Sequence, residues 1–189
     1  MAITLNGTTG VVTPGATVGA ITGILKATSG VVAQAVAGSD YGQLTLATAQ
    51  SATGTAVDFT SIPSWAKRIT IIFQGVSTNG SASVIVRLGT SSGFVASGYL
   101  GSTEVANFTT GLPVDGISNA AAVRHGCVQI INVSSNSWVS AGSMGRSDSV
   151  GSYTSGGSVS LASTLTQVQI TTGNGTDTFD AGTINISYE

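Results

Sequence analysis

From about Leu44 onward, apolar and polar residues alternate with a period of two. Leu44-Thr45-Leu46-Ala47-Thr48 alternates, and Ile69, Ile71 and Phe73 share one face of a run whose other face carries Thr70, Ile72 and Gln74. Side chains two apart leave a strand on the same side, so each run predicts a strand with one buried face. Val84, Val86 and Leu88 repeat the pattern against Ser83, Ile85 and Arg87. Asn79-Gly80 lies between these two runs and predicts a hairpin joining them. Val123 to Val133 is apolar on both faces, as a central strand is, and Asn136 marks a turn before Trp138-Val139. Leu161, Leu165, Val168 and Ile170 predict another strand pair, broken at Ser163-Thr164. At the end of the chain Ile184, Ile186 and Tyr188 face in, and Asn185 and Ser187 face out. No window of a dozen residues has helical periodicity with capping. Roughly ten short strands with frequent turns predict an all-β fold, an antiparallel β-sandwich of jelly-roll type, over residues 44–189.

Residues 1–43 break the pattern. Up to Asp40 they carry two charges, Lys26 and Asp40, and no aromatic residue. Thr8-Thr9-Gly10-Val11-Val12 is echoed by Thr28-Ser29-Gly30-Val31-Val32. Single valines among small residues cannot build a core in one chain. Disordered segments usually carry more charge than this one. An extended segment ordered by its neighbours is therefore expected: an anchor or shaft, with Val11, Val12, Ile21, Ile24 and Leu25 as its anchoring side chains.

Charge narrows the function. Six basic and eight acidic side chains make 7% of the chain, against about 25% in average soluble proteins. No Lys/Arg block exists to track nucleic-acid phosphates. So little charge leaves sheet edges unguarded in a lone chain, which points to self-association. Cys127 is the only cysteine, so no intrachain disulfide forms. The start, MAITLNGTTG, lacks the basic and apolar regions of a secretory signal. Gly15 to Leu25 is too short and too rich in Gly and Thr to insert in a membrane.

Two stretches carry a family likeness. One is Val57-Asp58-Phe59-Thr60-Ser61-Ile62-Pro63-Ser64-Trp65-Ala66-Lys67-Arg68-Ile69-Thr70, and the other runs from Asn174 to Glu189. With Gly98-Tyr99-Leu100-Gly101, Arg124-His125-Gly126 and the join Gly23-Ile24-Leu25-Lys26, they resemble the C-terminal domain of bacteriophage and prophage tail fibres. The resemblance implies a homotrimeric virion protein, made in the host cytoplasm. Its tip would meet a host surface glycan or protein, and residues 1–40 would attach to other virion proteins. A head fibre or capsid decoration protein with a purely structural role is the alternative.

Chemistry is sparse. Gly89-Thr90-Ser91-Ser92-Gly93 matches the letters of a nucleophile elbow, but that motif needs a helix after it, and Phe94-Val95-Ala96-Ser97-Gly98 is not one. His125 and Cys127 leave one face of a strand, and three such pairs on a threefold axis would ring a metal. One chain supplies only two ligands, so a small buried thiol and a hydrogen-bonded histidine are expected instead. Asp177 and Asp180 lack the ligand spacing of an EF-hand, so a turn closing on backbone N–H groups is expected rather than a calcium site. No catalysis, metal or cofactor is expected. Recognition falls to residues 90–119 and 144–157, read as long loops. There Phe94, Tyr99, Phe108, Arg146, Asp148 and Tyr153 stand among Gly and Ser. Aromatics, an arginine and hydroxyls suit a glycan or protein ligand, unless the aromatics instead pin the loops to the core.

Overall fold

The computed structural model describes residues 23–29, 31–36 and 40–189, and the chain divides into two units, Met1–Gln43 and Leu44–Glu189. In the first unit β1 (Leu25–Thr28) pairs antiparallel with β2 (Val31–Gln34), with Thr28 opposite Val31. The chain therefore reverses inside the stretch expected to run extended. Lys26 and Asp40 meet at 2.9 Å, and Asp40 also accepts the Val36 N–H at 2.7 Å. The Lys26 ammonium holds the Asp40 carboxyl below its ordinary range. Of the anchoring residues, Ile24 and Leu25 are exposed, and Val11, Val12 and Ile21 lie outside the described residues.

The second unit is built of strands, with no helix among the described residues. The chain enters along one sheet edge in β3 (Thr45–Leu46) and β4 (Gln50–Ser51), then crosses to a second sheet in β5 (Ala56–Phe59). β6 (Arg68–Thr78) returns to the first sheet and β7 (Val84–Thr90) to the second, where β8 (Gly93–Phe94) folds back on it. β9 (Leu100–Thr103) and β10 (Asn107–Phe108) form the far edge of the first sheet, and β11 (Leu112–Pro113) an edge of the second. β12 (Arg124–Ser134), β13 (Ser137–Arg146) and β14 (Ser152–Ser160) meander through the first. β15 (Gln167–Thr172) joins the second and β16 (Phe179–Tyr188) the first. The large sheet has the order β10-β9-β14-β13-β12-β6-β16-β3 with β4 also on β16, and the small sheet β11-β7-β15-β5 with β8 on β7.

The inner faces of both sheets feed one core. Ile69, Ile71, Phe73, Val128, Ile130, Ile184 and Ile186 come from the large sheet, and Val57, Phe59, Val86, Leu88, Val168 and Ile170 from the small one. Ile71 stands between Val128 and Ile186 in register. Each such side chain contributes about 1.5–3 kcal/mol by leaving water.

Four expectations are corrected. Asn79-Gly80 does not close a hairpin: β6 and β7 lie in different sheets. A two-residue hairpin turn of this sequence needs positive φ at both residues, and neither has it. Instead the Asn79 side chain accepts the Thr178 N–H at 2.8 Å, and Gly80 sits where a Cβ would fall 2.1 Å from the Asp177 carboxylate. Leu161 and Leu165 likewise flank a crossing between β14 and β15, not a strand pair. β12 is central, between β6 and β13, but only one face is buried, and His125, Gln129, Ile131 and Val133 are exposed. Three of the four sheet edges are guarded without charge, because β3, β10 and β11 are only two residues long and β11 contains Pro113, while the fourth, β5, carries the exposed Asp58.

Arg124 stands level with Val76 and Arg146 at one end of the large sheet, and Thr78 with Phe179. Loops 79–83, 115–123, 147–151 and 173–178 leave from this end, the rim. The β12–β13 turn, Trp65 and Phe94 lie at the other end.

Candidate functional site

The rim is organised by charged side chains that bond to one another, to hydroxyls and to backbone groups. β13 ends at Arg146 and β14 starts at Ser152, so the strands present residues 147–151 as a short tip. The Arg146 guanidinium grips Asp148, with Nε 3.2 Å from Oδ1 and a second contact from Nη2 to Oδ2. Asp148 Oδ1 also accepts the Val123 N–H at 2.7 Å, and Ser147 N–H donates to the Val123 carbonyl at 3.1 Å. Arg146, and then the Val123 N–H, hold the Asp148 carboxyl down at about 2. Asp148 first and the Tyr153 hydroxyl second keep Arg146 charged, with its pKa above the ordinary value. The Tyr153 ring lies over Gly151, where a Cβ would come within 2.8 Å of it. Val150 at the tip is fully exposed.

Behind this tip lies an ion pair. Arg124 Nε donates to Asp115 Oδ2 at 2.7 Å, and both side chains are wholly buried. Asp115 Oδ1 takes the Ile117 N–H at 2.9 Å, and Arg124 Nη1 donates to the Ala122 carbonyl at 3.3 Å. Burial pushes the Asp115 carboxyl up, against the Arg124 guanidinium that pulls it down. The pair ties loop 115–123 to the start of β12. In the sequence Asp115 is only one of eight acidic side chains, and Arg124 only a member of Arg124-His125-Gly126.

His125 faces outward beside the rim. Its Nδ1 accepts the Gly75 N–H at 3.2 Å, so the neutral ring carries its proton on Nε2, 3.1 Å from Ser147 Oγ. Cys127 is half-buried on the same strand face. On the neighbouring loop, Asp177 accepts the Asn174 amide at 2.7 Å and the Ala82 N–H at 2.9 Å. These bonds, the Asn174 amide foremost, hold its carboxyl below the ordinary range. Asp180 accepts the Ser77 hydroxyl. Among the described residues no three His, Cys, Asp or Glu side chains gather in a metal-binding group.

The expected recognition residues separate. Arg146, Asp148 and Tyr153 come together at the rim. Phe94, half-buried on β8, lies at the opposite end. Phe108, also half-buried, borders a groove of about 410 Å³ at the β9–β10 edge with Leu100, Ser102, Asn107 and Gly156. Tyr99 is a correction. It is 1% exposed, and its hydroxyl accepts the Leu88 N–H at 2.8 Å and donates to the Val95 carbonyl at 2.9 Å. It pins the chain between β8 and β9 and only borders the floor of that groove. Of the two stretches read as long loops, 90–119 is loop for the most part, interrupted by the short strands β8 to β11, whereas 144–157 is largely strand and only 147–151 of it is loop. Thr90 to Gly93 is the turn between β7 and β8, with a strand and no helix after it.

The two stretches that carry the family likeness are neighbours in space. Lys67 and Arg68 N–H groups both donate to the Glu189 carbonyl, at 2.7 and 2.9 Å, and Arg68 pairs with the Glu189 carboxylate. The Trp65 and Tyr188 rings lie 5.6 Å apart at 51°. Compared with protein-family models, curated proteins and solved structures, the chain matches none.

Proposed function

We propose that this chain is a bacteriophage virion protein, a short tail fibre or fibre tip, that binds a host-cell surface receptor without catalysis. In this reading Leu44–Glu189 is a jelly-roll-like β-sandwich tip, the chain assembles as a homotrimer, and residues 1–40 attach it to other virion proteins. The observation that carries the reading is the rim. Arg146, Asp148 and Tyr153 are held by β13 and β14 beside the tip 147–151, where Val150 is fully exposed and the Arg146 and Asp148 side chains keep 10% and 21% of their surface in water. Rigid strands presenting a pre-set cation, carboxylate and aromatic ring bind at low ordering cost. The chemistry of that set, with the hydroxyls around it, suits a glycan or a polar protein surface. The rim carboxylates Asp115, Asp148, Asp177 and Asp180 already accept hydrogen bonds from their own chain. That arrangement suits positioning rather than proton transfer. The resemblance of 57–70 and 174–189 to tail-fibre domains supports the same reading, and the two segments meet where Ile69 and Thr70 pair with Tyr188 and Ser187.

Gold-labelled antibody against Leu44–Glu189, imaged on intact virions, tests the placement. Label at the distal end of the tail is the expected result. Label spread over the capsid would overturn the tail-fibre reading in favour of a decoration protein.

A further inference from the structure

β3 and β4 are two short pairings on β16 with a break between them. Leu46 stands opposite Ser187 and Gln50 opposite Ile184. Between them the Ala47 N–H donates to the Ile186 carbonyl at 2.9 Å, and the Ala47 carbonyl accepts the Asn185 amide at 3.1 Å. Across from this edge runs β5, an edge of the small sheet. Gln50 Nε2 bridges the two sheets by donating to the Asp58 carbonyl at 2.8 Å. Beside this bridge opens a cleft of about 240 Å³. Phe59, Ile62 and Ile186, all members of the core, give it an apolar side, and the half-buried Tyr188 adjoins them. Thr48, Gln50, Asp58 and Thr60 give it a polar side. Asp58 Oδ1 accepts the Gln169 amide at 3.0 Å, which orients the carboxylate. The cleft is separate from the rim: Tyr188 pairs with Ile69 near the start of β6, and the rim lies at the end of that strand.

We infer that this cleft binds one neutral sugar ring, a hexopyranose unit of a glycan. The site stands independently of the receptor contact proposed at the rim. Size selects a single ring. The cleft's volume of about 240 Å³ falls below the roughly 300–1,000 Å³ of pockets that take drug-sized ligands. Its two unlike sides select the chemistry. A pyranose has apolar C–H faces and an edge of hydroxyls, each of which donates and accepts. The apolar side and Tyr188 suit the C–H face. The Thr48 and Thr60 hydroxyls also donate and accept, and with the Gln50 amide and the Asp58 carboxylate they suit the sugar hydroxyls. Charge narrows the class further. Asp58 is the one carboxylate of the lining, and no cationic side chain lines the cleft. An acidic sugar or a phosphate is therefore repelled, whereas a neutral hydroxyl gains a charge-assisted bond. An ammonium needs several acceptors around it, and here it would find one carboxylate already shared with Gln169.

Titration of the full chain with D-glucose, D-galactose and N-acetyl-D-glucosamine, followed by amide NMR, tests this. At least one of these sugars is expected to shift the amides of Thr48, Gln50, Asp58 and Thr60 saturably at millimolar concentration. The amides of 147–151 are expected to stay in place. Glucuronate and methylammonium are expected to shift none of them at the same concentration. Asp58→Asn keeps an acceptor for Gln169 but removes the charge, and should weaken sugar binding about tenfold. Thr60→Val removes one exposed hydroxyl and should weaken it several-fold, which keeps the test decisive if Asp58→Asn loosens β5. No saturable shift with any of the sugars overturns the inference. So do equal shifts with methylammonium or glucuronate, and so does wild-type affinity in both variants. The rim variant Tyr153→Ala is expected to keep the sugar shifts. Loss of cell adsorption by that variant and loss of sugar binding by Asp58→Asn therefore report on the two sites separately.

Discussion

Asp115 and Arg124 form an ion pair in which neither side chain keeps any exposed surface, with Nε 2.7 Å from Oδ2. Taking both charges out of water is costly, and their attraction offsets this only because the remaining polar atoms find backbone partners in loop 115–123. Asp115→Ala leaves a buried guanidinium without a counter-charge. The expected loss, read by urea denaturation, is about 3–5 kcal/mol. Asp115→Leu/Arg124→Met removes both charges at once and is expected to recover most of that loss. A single and a double variant of equal stability would show that the pair is not coupled.

Asp148 makes the tip sensitive to acid. Its carboxyl titrates at about 2 when folded, against an ordinary 3.8, because Arg146 and the Val123 N–H favour the carboxylate. Folding therefore favours the deprotonated form. The resulting stability is complete above about pH 4 and is lost as pH falls through about 2. Carboxyl NMR should show Asp148 titrating near that lower value, with exchange of the Val123 amide rising in step. In Asp148→Asn the Val123 amide should exchange with no pH step in this window. Titration of Asp148 at its ordinary value would contradict the geometry of the tip.

Gly182 closes the ladder between β16 and β6 at a bulge. Its φ is +93°, and a Cβ there would stand 2.4 Å from the Gly75 carbonyl oxygen, a backbone atom that cannot swing aside. Gly182→Ala should cost more than about 1 kcal/mol. Gly42→Ala, with nothing within 4 Å of its Cβ position, should change stability by less than about 0.5 kcal/mol. Equal melting temperatures for the two variants would remove the close-approach argument.

The inward faces of β6 and β16 were legible because Ile69, Ile71, Phe73, Ile184 and Ile186 alternate without interruption, and a period of two has one strand reading. Partner choice was not legible. Asn79-Gly80 is a local signal, while the decision to send β7 into another sheet depends on Asp177 and Thr178, about a hundred residues away. Tyr99 misled for a related reason: a lone aromatic in a Gly/Ser stretch reads the same whether its ring points to solvent or to Leu88. Arg146, Asp148 and Tyr153 lie within eight residues of one another, so one hairpin sufficed to unite them. The burial of Arg124 had no signal, since its partner Asp115 lies in a loop with no periodicity. The open face of β12 was hidden by Ile131 and Val133, which made both of its faces look interior.

Removing residues 1–40 should leave Leu44–Glu189 folded, because among the described residues every member of its core cluster lies within Leu44–Glu189. The truncated protein should melt within a few degrees of the full chain and be missing from assembled virions. Normal incorporation would move virion attachment into the strand domain.

The central claim is that the rim at Arg146, Asp148 and Tyr153 meets the host. Adsorption of fluorescently labelled protein to susceptible bacteria tests it most directly, comparing wild type with a chain whose residues 147–151 are replaced by Gly and Ser and with Tyr153→Ala. Wild-type protein should saturate the cells and block infection. Both variants should lose adsorption at least tenfold while keeping the wild-type circular dichroism spectrum. Variants that adsorb and block infection as well as the wild type would contradict the claim.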